Sequence, residues 1–351
     1  MKKSVALLLA LVMMAAVFAG CGSSSEASST ASEAPAAEAP AAEAAPAAEA
    51  APAAEEPFVW PTKQLEIVVP YNAGGDTDFY ARTFGRYLAD ELGINVIITN
   101  MPGANGSVAH EEVANSAPDG SRCLFFHDSM LTNKATGIAD FAYETLTPCA
   151  AVVDDNTYIM AVNSKSSYYT LDDVVNDAKA RPGDFLYASQ AGGYSYYLGR
   201  VFEEDFGVDF NIVDVGGGTD RNQALLAGKI DCNVNPYGVM KAYIDSGDFR
   251  VIATLSEERN ELFPDVATSK EQGYEWYGHR YYFLSFPGNT DPAIVAAMEQ
   301  ALKNCCENES CIKDCVDAYC IVPHFYSTAE LMAHLEEALA EFCAHPELVT
   351  G

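Results

Sequence analysis

Two glycines ahead of a helical pattern are the first candidate for ligand chemistry. Gly74 and Gly75 follow a short β-branched strand, and the helical pattern begins at Asp76 or Thr77. The first N–H groups of a helix have no partner within the helix, and the macrodipole adds about half a positive charge at that end. The segment therefore predicts a site where a ligand carboxylate accepts backbone N–H bonds. A tight turn with a simple N-cap at Asp76 or Thr77 is the alternative interpretation.

Histidine and aspartate stand together at His127 and Asp128, just past an apolar strand. Such a pair is suited to acid–base catalysis, but no nucleophile motif such as G-x-S-x-G accompanies it. The sequence also has no P-loop and no H-E-x-x-H. We therefore expect His127 to line the mouth of a binding site, and we expect neither an enzyme nor a cofactor.

Cysteines are concentrated near the C-terminus. Nine follow Cys21, and five of these fall in one run, at Cys305, Cys306, Cys311, Cys315 and Cys320. The run has no paired C-x-x-C motif, and disulfides are the more ordinary use of cysteine in an exported protein. We expect one or two disulfides here, for instance Cys306 with Cys311, and no metal site. Free buried thiols, or an enzyme with a zinc or thiol site, are the alternatives.

Alternating strands and helices position these residues. The periodicity predicts strands at 65–70, 96–99, 123–126, 158–162, 185–188, 210–213, 230–234, 251–254 and 281–286. Helices are predicted at 79–92, 107–114, 171–180, 196–206, 219–227, 240–246, 291–306 and 328–342. The opening βαβαβ order predicts a mainly parallel sheet with helices on both faces, and its repetition downstream predicts two α/β units.

The N-terminal segment, up to Pro57, carries export and tethering signals. Lys2 and Lys3 precede an apolar run that is short for a membrane span, which predicts a signal peptide at 1–20. The segment ending at Cys21 resembles the lipobox of bacterial lipoproteins, with Phe18 in place of the usual aliphatic residue. We expect lipidation of Cys21 and anchoring at the outer face of the cell membrane; ordinary cleavage near Ala19 or Gly20 is the alternative. Residues 21–57, rich in Ala, Pro, Glu and Ser, are predicted to be a disordered linker.

Charge excludes one class of partner. The 351 residues include 20 basic and 50 acidic side chains, a formal net charge of −30. Because the segment up to Pro57 holds two lysines and seven glutamates, the remaining body still has a net charge of −25. Nucleic acid is therefore excluded as a partner. An anionic ligand needs a locally positive pocket in this chain.

Several short motifs occur in one order along the chain. They are VPYNAGGDTD at 69–78, NMPGANG at 100–106, APDG at 117–120, RPG at 181–183 followed by YASQAGG at 187–193, LLAGKID at 225–231, LFPDV at 262–266 and GNTDP at 288–292. Together they resemble the extracytoplasmic solute-binding receptors of the tripartite tricarboxylate transporter family, over the chain from about Pro61 to its end.

The resemblance implies a two-lobed α/β fold of the type II periplasmic-binding-protein kind, with a ligand cleft between the lobes. Lobe one is expected at 58–160 plus 283–351, and lobe two at 161–282. The expected ligand-binding residues are Tyr71, Asn72, Ala73, Gly74, Gly75, Asp76, Thr77, Asp78, His127, Ser189, Gln190, Ala191, Gly192, Gly193, Tyr194, Ser195, Gly216, Gly217, Gly218, Thr219 and Asn235. Helix starts in the two lobes would face each other and hold a dianion.

Departures from the family pattern bear on the ligand. Tyr194, Ser195, Tyr196 and Tyr197 stand where many members have small hydroxyl residues and a histidine, and the glycines at 216–218 replace a segment that often includes tyrosine and lysine. A citrate-like ligand is therefore less expected. Tyr71, Tyr194 and Tyr237 are suited either to stacking on an aromatic acid or to packing on an aliphatic dicarboxylate.

The function implied is capture of a small carboxylate outside the cell. The receptor would close around a di- or tricarboxylate or an aromatic acid and deliver it to the large and small membrane subunits of a tripartite transporter. A lipoprotein of the same fold that senses the ligand and signals to a membrane sensor kinase is the alternative.

Overall fold

Two mixed β-sheets with helices packed on them make up the described part of the chain. The computed structural model describes Trp60, residues 64–345 and Leu348, which belong to one unit, Glu56–Gly351. The predicted signal peptide, the lipidated Cys21 and the linker to residue 57 lie outside these residues. None of the described helices is long and apolar enough to cross a membrane.

The first sheet has five strands in the spatial order β2-β1-β3-β10-β4. They are β1 (Gln64–Val69), β2 (Asn95–Asn100), β3 (Arg122–His127), β4 (Leu146–Asp155) and β10 (Arg280–Pro287). β1 pairs in parallel with β2 and β3, and β10 runs antiparallel to β3 and β4. Four strands therefore share one direction and β10 opposes them.

The second sheet repeats this arrangement in the order β7-β6-β8-β5-β9. Its strands are β5 (Tyr158–Asn163), β6 (Phe185–Ser189), β7 (Phe210–Asp214), β8 (Cys232–Pro236) and β9 (Phe249–Thr254). Here β5 is the opposed strand. Four strands of each sheet thus run in one direction, as the prediction of a mainly parallel sheet requires. The strand that runs in the opposite direction, β10 in the first sheet and β5 in the second, is the one that the chain enters on crossing from the other sheet.

The crossings define the two lobes. The chain leaves the first sheet after Asp155 and enters the second at Tyr158, and it returns between Thr254 and Arg280. The boundaries predicted at 160/161 and 282/283 therefore fall inside β5 and β10.

Ten helices cover the sheets of the described chain. They are α1 (Asp76–Leu92), α2 (Ser107–Ala114), α3 (Ser129–Ala135), α4 (Leu171–Ala180), α5 (Tyr194–Phe206), α6 (Gly218–Leu226), α7 (Tyr237–Asp245), α8 (Pro292–Glu307), α9 (Glu309–Tyr319) and α10 (Thr328–Ala344). β4, α3 and α9 were not predicted. α9 follows α8 after Asn308 alone, whose side-chain oxygen accepts hydrogen bonds from the N–H groups of Ser310 and Cys311 and so caps a new helix.

The core shows why β1 reads as an almost continuous apolar run. Leu65, Ile67 and Val69 point into a cluster shared with α1 and α8, while Val68 points into the cluster on the opposite face. A strand buried on both faces cannot alternate apolar with polar residues. β1 therefore lies inside the first lobe, and the loop after it emerges at the carboxyl edge of the sheet.

Candidate functional site

A polar cavity lies where the carboxyl ends of strands from both sheets meet. Its empty space is about 330 Å³, part of which is open to solvent. It is lined by Tyr71, Asp76, Asn105, His127, Ser129, Gln190, Gly193, Tyr194, Ser195, Arg221, Asn235 and Arg280. Two arginines and one aspartate are the charged members of this set, which gives the cavity a net positive charge in an acidic protein.

The two lobes touch across the cavity. The Asn105 side-chain amide in lobe one donates to the Gly192 carbonyl in lobe two at 3.2 Å and to Asn133 Oδ1 at 2.8 Å. The Asn105 side-chain oxygen accepts from the Tyr71 hydroxyl at 3.0 Å. Asn105 has a positive φ of 47°, a left-handed conformation that asparagine tolerates better than most residues. This buried amide therefore joins the loop after β2 to the loop after β6.

The start of α1 is already occupied by the chain's own carboxylates. Asp76 Oδ1 accepts from the Thr77 N–H at 2.8 Å, and Asp78 Oδ2 accepts from the Gly74 N–H at 2.9 Å. Asp78 also pairs with Arg82 on the side away from the cavity. Two of the N–H groups expected to bind a ligand carboxylate are therefore already bonded.

The helix starts of lobe two are different. Like α1, helices α5 and α6 each begin after a glycine, Gly193 and Gly217, which has no side chain to cap the helix. The first-turn N–H groups at Tyr194, Ser195, Thr219 and Asp220 form no hydrogen bond with another described residue. These two helix starts retain the donors and the dipole that favour an anion.

Arg221 holds the α6 start against β8. Its Nε donates to Asn233 Oδ1 at 3.1 Å and its Nη1 to the Gly216 carbonyl at 3.0 Å, while Nη2 donates to the Val234 carbonyl and to Asn235. All of these acceptors are neutral, and within the described chain no carboxylate forms an ion pair with Arg221. Burial lowers the pKa of the Arg221 guanidinium from its ordinary value, yet a guanidinium stays protonated in proteins. Arg221 therefore contributes a buried, uncompensated positive charge.

Arg280 opens β10 and reaches the cavity from the crossing between the lobes. Its Nη1 lies 3.3 Å from His127 Nε2 and 3.5 Å from Asp76 Oδ2. The Tyr158 and Tyr194 rings lie 5.3 and 5.2 Å from its guanidinium carbon. The Asp76 carboxylate is held more closely by the Tyr282 hydroxyl, at 2.6 Å.

His127 is a neutral wall residue and not half of a catalytic pair. Burial and the neighbouring Arg280 hold its pKa well below the ordinary value. Its ring stacks on Tyr71 with centroids 5.2 Å apart, and Nδ1 accepts from the Ser129 N–H at 3.2 Å. The Asp128 carboxylate instead accepts from the Tyr281 N–H and contacts His334 Nε2. The His127–Asp128 pair considered from the sequence does not form.

Eight of the predicted binding residues line the cavity together: Tyr71, Asp76, His127, Gln190, Gly193, Tyr194, Ser195 and Asn235. The other thirteen do not line it: Asn72, Ala73, Gly74, Gly75, Thr77, Asp78, Ser189, Ala191, Gly192, Gly216, Gly217, Gly218 and Thr219. Thr77 and Ser189 are buried, and Gly75 faces Thr219 across the lobes. Tyr237, considered as a stacking partner for an aromatic acid, instead stacks on Phe263 at 4.2 Å and does not line the cavity.

Four of the residues that line the cavity were not predicted from the sequence: Asn105, Ser129, Arg221 and Arg280. Asn105 belongs to the motif at 100–106, and Arg221 lies in the first turn of α6, so both had a local signal. Arg280 had none, because its partners His127, Tyr158 and Tyr194 are all distant from it along the chain.

The cysteines do not form the expected disulfides. All nine cysteines of the described chain are free, Cys306 and Cys311 included, and the four on α8 and α9 are buried. Burial raises the pKa of the Cys305 thiol to about 12, so the thiol form predominates. Across the described residues, no group of three or more His, Cys, Asp or Glu side chains is placed to hold a metal ion.

Comparison with known proteins identifies the family. Residues 80–341 match the family model described as the tripartite tricarboxylate transporter family receptor. The chain is 29% identical to the protein BugT of Bordetella pertussis over 72% of this chain and 79% of that protein. It is 30% identical to a Cupriavidus necator protein over 70% of this chain and 75% of the relative.

Solved structures of similar fold include two proteins with acids bound. The chain is 22% identical, with a TM-score of 0.75, to MatC from Rhodopseudomonas palustris with bound malate, over 82% of this chain and 100% of that one. A second R. palustris protein, with adipate, gives 20% identity and a TM-score of 0.76 over 83% and 98% of the chains. These likenesses establish the two-lobed periplasmic-binding-protein fold.

Proposed function

Since the chain belongs to the tripartite tricarboxylate transporter receptor family, we propose that it captures a small organic carboxylate between its two lobes and delivers it to a membrane transporter. The family is one of extracytoplasmic solute-binding receptors and not of enzymes. The observation that carries the proposal is a cavity with a net positive charge, lined by residues of both lobes, in a strongly acidic protein.

Two kinds of donor support a carboxylate over a neutral ligand. The uncapped starts of α5 and α6 offer backbone N–H groups, and the two buried guanidinium groups add full charges. A charge-assisted hydrogen bond in a desolvated site is roughly twice as strong as a neutral one. A sugar would leave these charges uncompensated, at a desolvation cost that carboxylate binding avoids.

Ligand class is tested by thermal unfolding of the purified protein against mono-, di- and tricarboxylates and aromatic acids, with sugars and amino acids as controls. Malate and adipate head the panel because proteins of the same fold hold them. A ligand at 100 times its dissociation constant should stabilise the protein by about 2.7 kcal/mol, a shift of several degrees. A shift produced only by sugars would refute carboxylate binding.

The proposal extends to the site of action. Lipidation of Cys21 would hold the receptor at the outer face of the cell membrane, with residues 22–57 as a tether, near the large and small subunits of the transporter. Metabolic labelling with a fatty acid tests the anchor: label should enter the wild-type protein and be absent from Cys21→Ala. Loss of carboxylate uptake on deleting the receptor, with restoration by the wild-type chain, tests delivery.

A further inference from the structure

Arg280 has unused hydrogen-bonding capacity in a place that water hardly reaches. Only 8% of the residue is exposed. Its Nε is buried without a hydrogen-bond partner, and its Nη2 donates to no residue in the described part of the chain. A buried charged group without partners is costly. The Nε–Nη2 edge of this guanidinium is therefore a pair of donors that no acceptor among the described residues uses.

The one nearby carboxylate does not use that edge. Asp76 approaches Nη1, and at 3.5 Å the contact is longer than the 2.7–2.9 Å typical of a charge-assisted N–H···O bond. The closer bonds of Asp76 go to the Tyr282 hydroxyl and the Thr77 N–H. Asp76 thus lowers the net charge near Arg280 while the Nε–Nη2 edge stays available.

Two aromatic rings hold the guanidinium in position. Tyr158 and Tyr194 lie on it at cation–π distance, and the Tyr194 hydroxyl is tied to the His279 N–H at 3.3 Å. A planar guanidinium held in this way meets a carboxylate with two parallel N–H···O bonds and loses little side-chain entropy on binding.

Arg221 provides the contrast within the same cavity. Four of its five N–H donors are committed to neutral protein acceptors. It raises the local potential and fixes the α6 start, but it does not present a free two-donor edge. Of the two cleft arginines, only Arg280 can bind a carboxylate side-on.

From this geometry we infer that Arg280 holds one carboxylate of a dicarboxylate ligand through Nε and Nη2, while the starts of α5 and α6 hold the other. The inference rests on the proposed function and narrows its ligand class. The favoured ligand is a dianion with carboxylates at both ends. An aromatic monocarboxylate would fill one subsite and leave Arg280 without an anion, so it would bind more weakly.

Ligand pairs that differ by one charge test this directly. The purified full-length protein is titrated calorimetrically with succinate and adipate and with the monoamide of each, which keeps the size and removes one carboxylate. The better-binding dicarboxylate should bind about 10- to 100-fold more tightly than its monoamide, the range expected for a desolvated charge-assisted contact. Equal affinities of wild-type protein for both members of the pair would overturn the inference.

Variants assign the preference to Arg280. In Arg280→Gln the ratio of dicarboxylate affinity to monoamide affinity should fall to about threefold or less, because the dicarboxylate binds more weakly. Arg280→Lys should retain part of the preference for the dicarboxylate. Arg86→Gln removes an exposed arginine on α1 and should leave the ratio unchanged, which controls for net charge. A ratio unaltered in Arg280→Gln would also overturn the inference.

The outcomes distinguish failure of the proposed function from failure of the Arg280 subsite. If wild-type protein binds no carboxylate at all, the proposed function fails. If it binds dicarboxylate and monoamide equally, only the Arg280 subsite fails. Should Arg280→Gln not fold, the ligand pairs on wild-type protein and the Arg280→Lys variant still decide the question.

Discussion

Replacing Gly192 by alanine would place a methyl group between the two lobes. Gly192 belongs to lobe two, and a Cβ built on it would lie 2.2 Å from Ile138 Cδ1 and 3.1 Å from Thr136 Oγ1, both in lobe one. Ordinary contact for a Cβ begins at 3.4 Å. Because both distances are shorter than this, the Ile138 methyl or the lobe itself must shift before the lobes can meet as they do here.

The expected result is weaker ligand binding. The crowding atom is the terminal methyl of Ile138, an exposed side chain that can turn aside, so the cost lies near the low end of the about 1–3 kcal/mol of core overpacking. In this variant the cost falls on the closed arrangement alone. A penalty of ~1.4 kcal/mol reduces the ratio of closed to open protein about tenfold, and where the open form predominates without ligand the apparent dissociation constant rises by the same factor. Calorimetric titration with the best-binding acid of the panel measures it.

A second glycine provides a matched control. Gly207 has a φ of 61°, close to the 64° of Gly192, but a Cβ there meets nothing within 4 Å. Gly207→Ala therefore carries the same left-handed backbone strain, ~1–2 kcal/mol of stability, without the contact between lobes. Adding Ile138→Ala to Gly192→Ala should restore much of the affinity. The reasoning is refuted if Gly192→Ala and Gly207→Ala bind ligand equally well.

Two further predictions concern buried groups elsewhere. Burial lowers the pKa of His110 to about 4 from 6.5, so the unfolded chain takes up a proton that the folded chain refuses, and stability falls as the pH drops from 6.5 towards 4. At pH 4.5 this loss of stability is about 2–3 kcal/mol. Urea unfolding at pH 7.5 and 4.5 measures it: the loss should be absent from His110→Gln and retained by the surface variant His324→Gln. An unchanged loss in His110→Gln would contradict its assignment to His110. Cys343 should be the first described cysteine to be alkylated without denaturant, because the others are buried or half-buried. In denaturant the thiol count should be the same before and after reduction, whereas a higher count after reduction would reveal a disulfide.

Local pattern was sufficient for most elements. The predicted bounds of α2 and α4 agree with the structure residue for residue, and Gly93 ends α1 in the left-handed conformation expected of a C-cap. These features depend on neighbouring residues, through the helical spacing of apolar side chains and the freedom of glycine at positive φ. β4 has no comparable signal, since small residues and Pro148 interrupt its apolar pattern.

The binding loops could also be predicted from the sequence, but the electrostatics of the site could not. Glycine turns between strand and helix identify the loops that lead into the helices of Asp76 and Ser195, because such turns must emerge at the carboxyl edge of a sheet. Nothing local distinguishes Arg280 from an ordinary strand residue. Its neighbours His127 and Tyr158 come to it from distant parts of the chain, one in each lobe.

The amino-acid sequence by itself thus determined the two α/β units, the acidic surface and the loops that face the cleft. Only the tertiary structure decided which of those loops keep free N–H donors, and that two buried arginines make the cavity positive. The physical reason is the separation along the chain over which each effect acts. Periodicity and turn chemistry act over a few residues, whereas the charge of a buried site is the sum over side chains that the crossing strands bring together from both lobes.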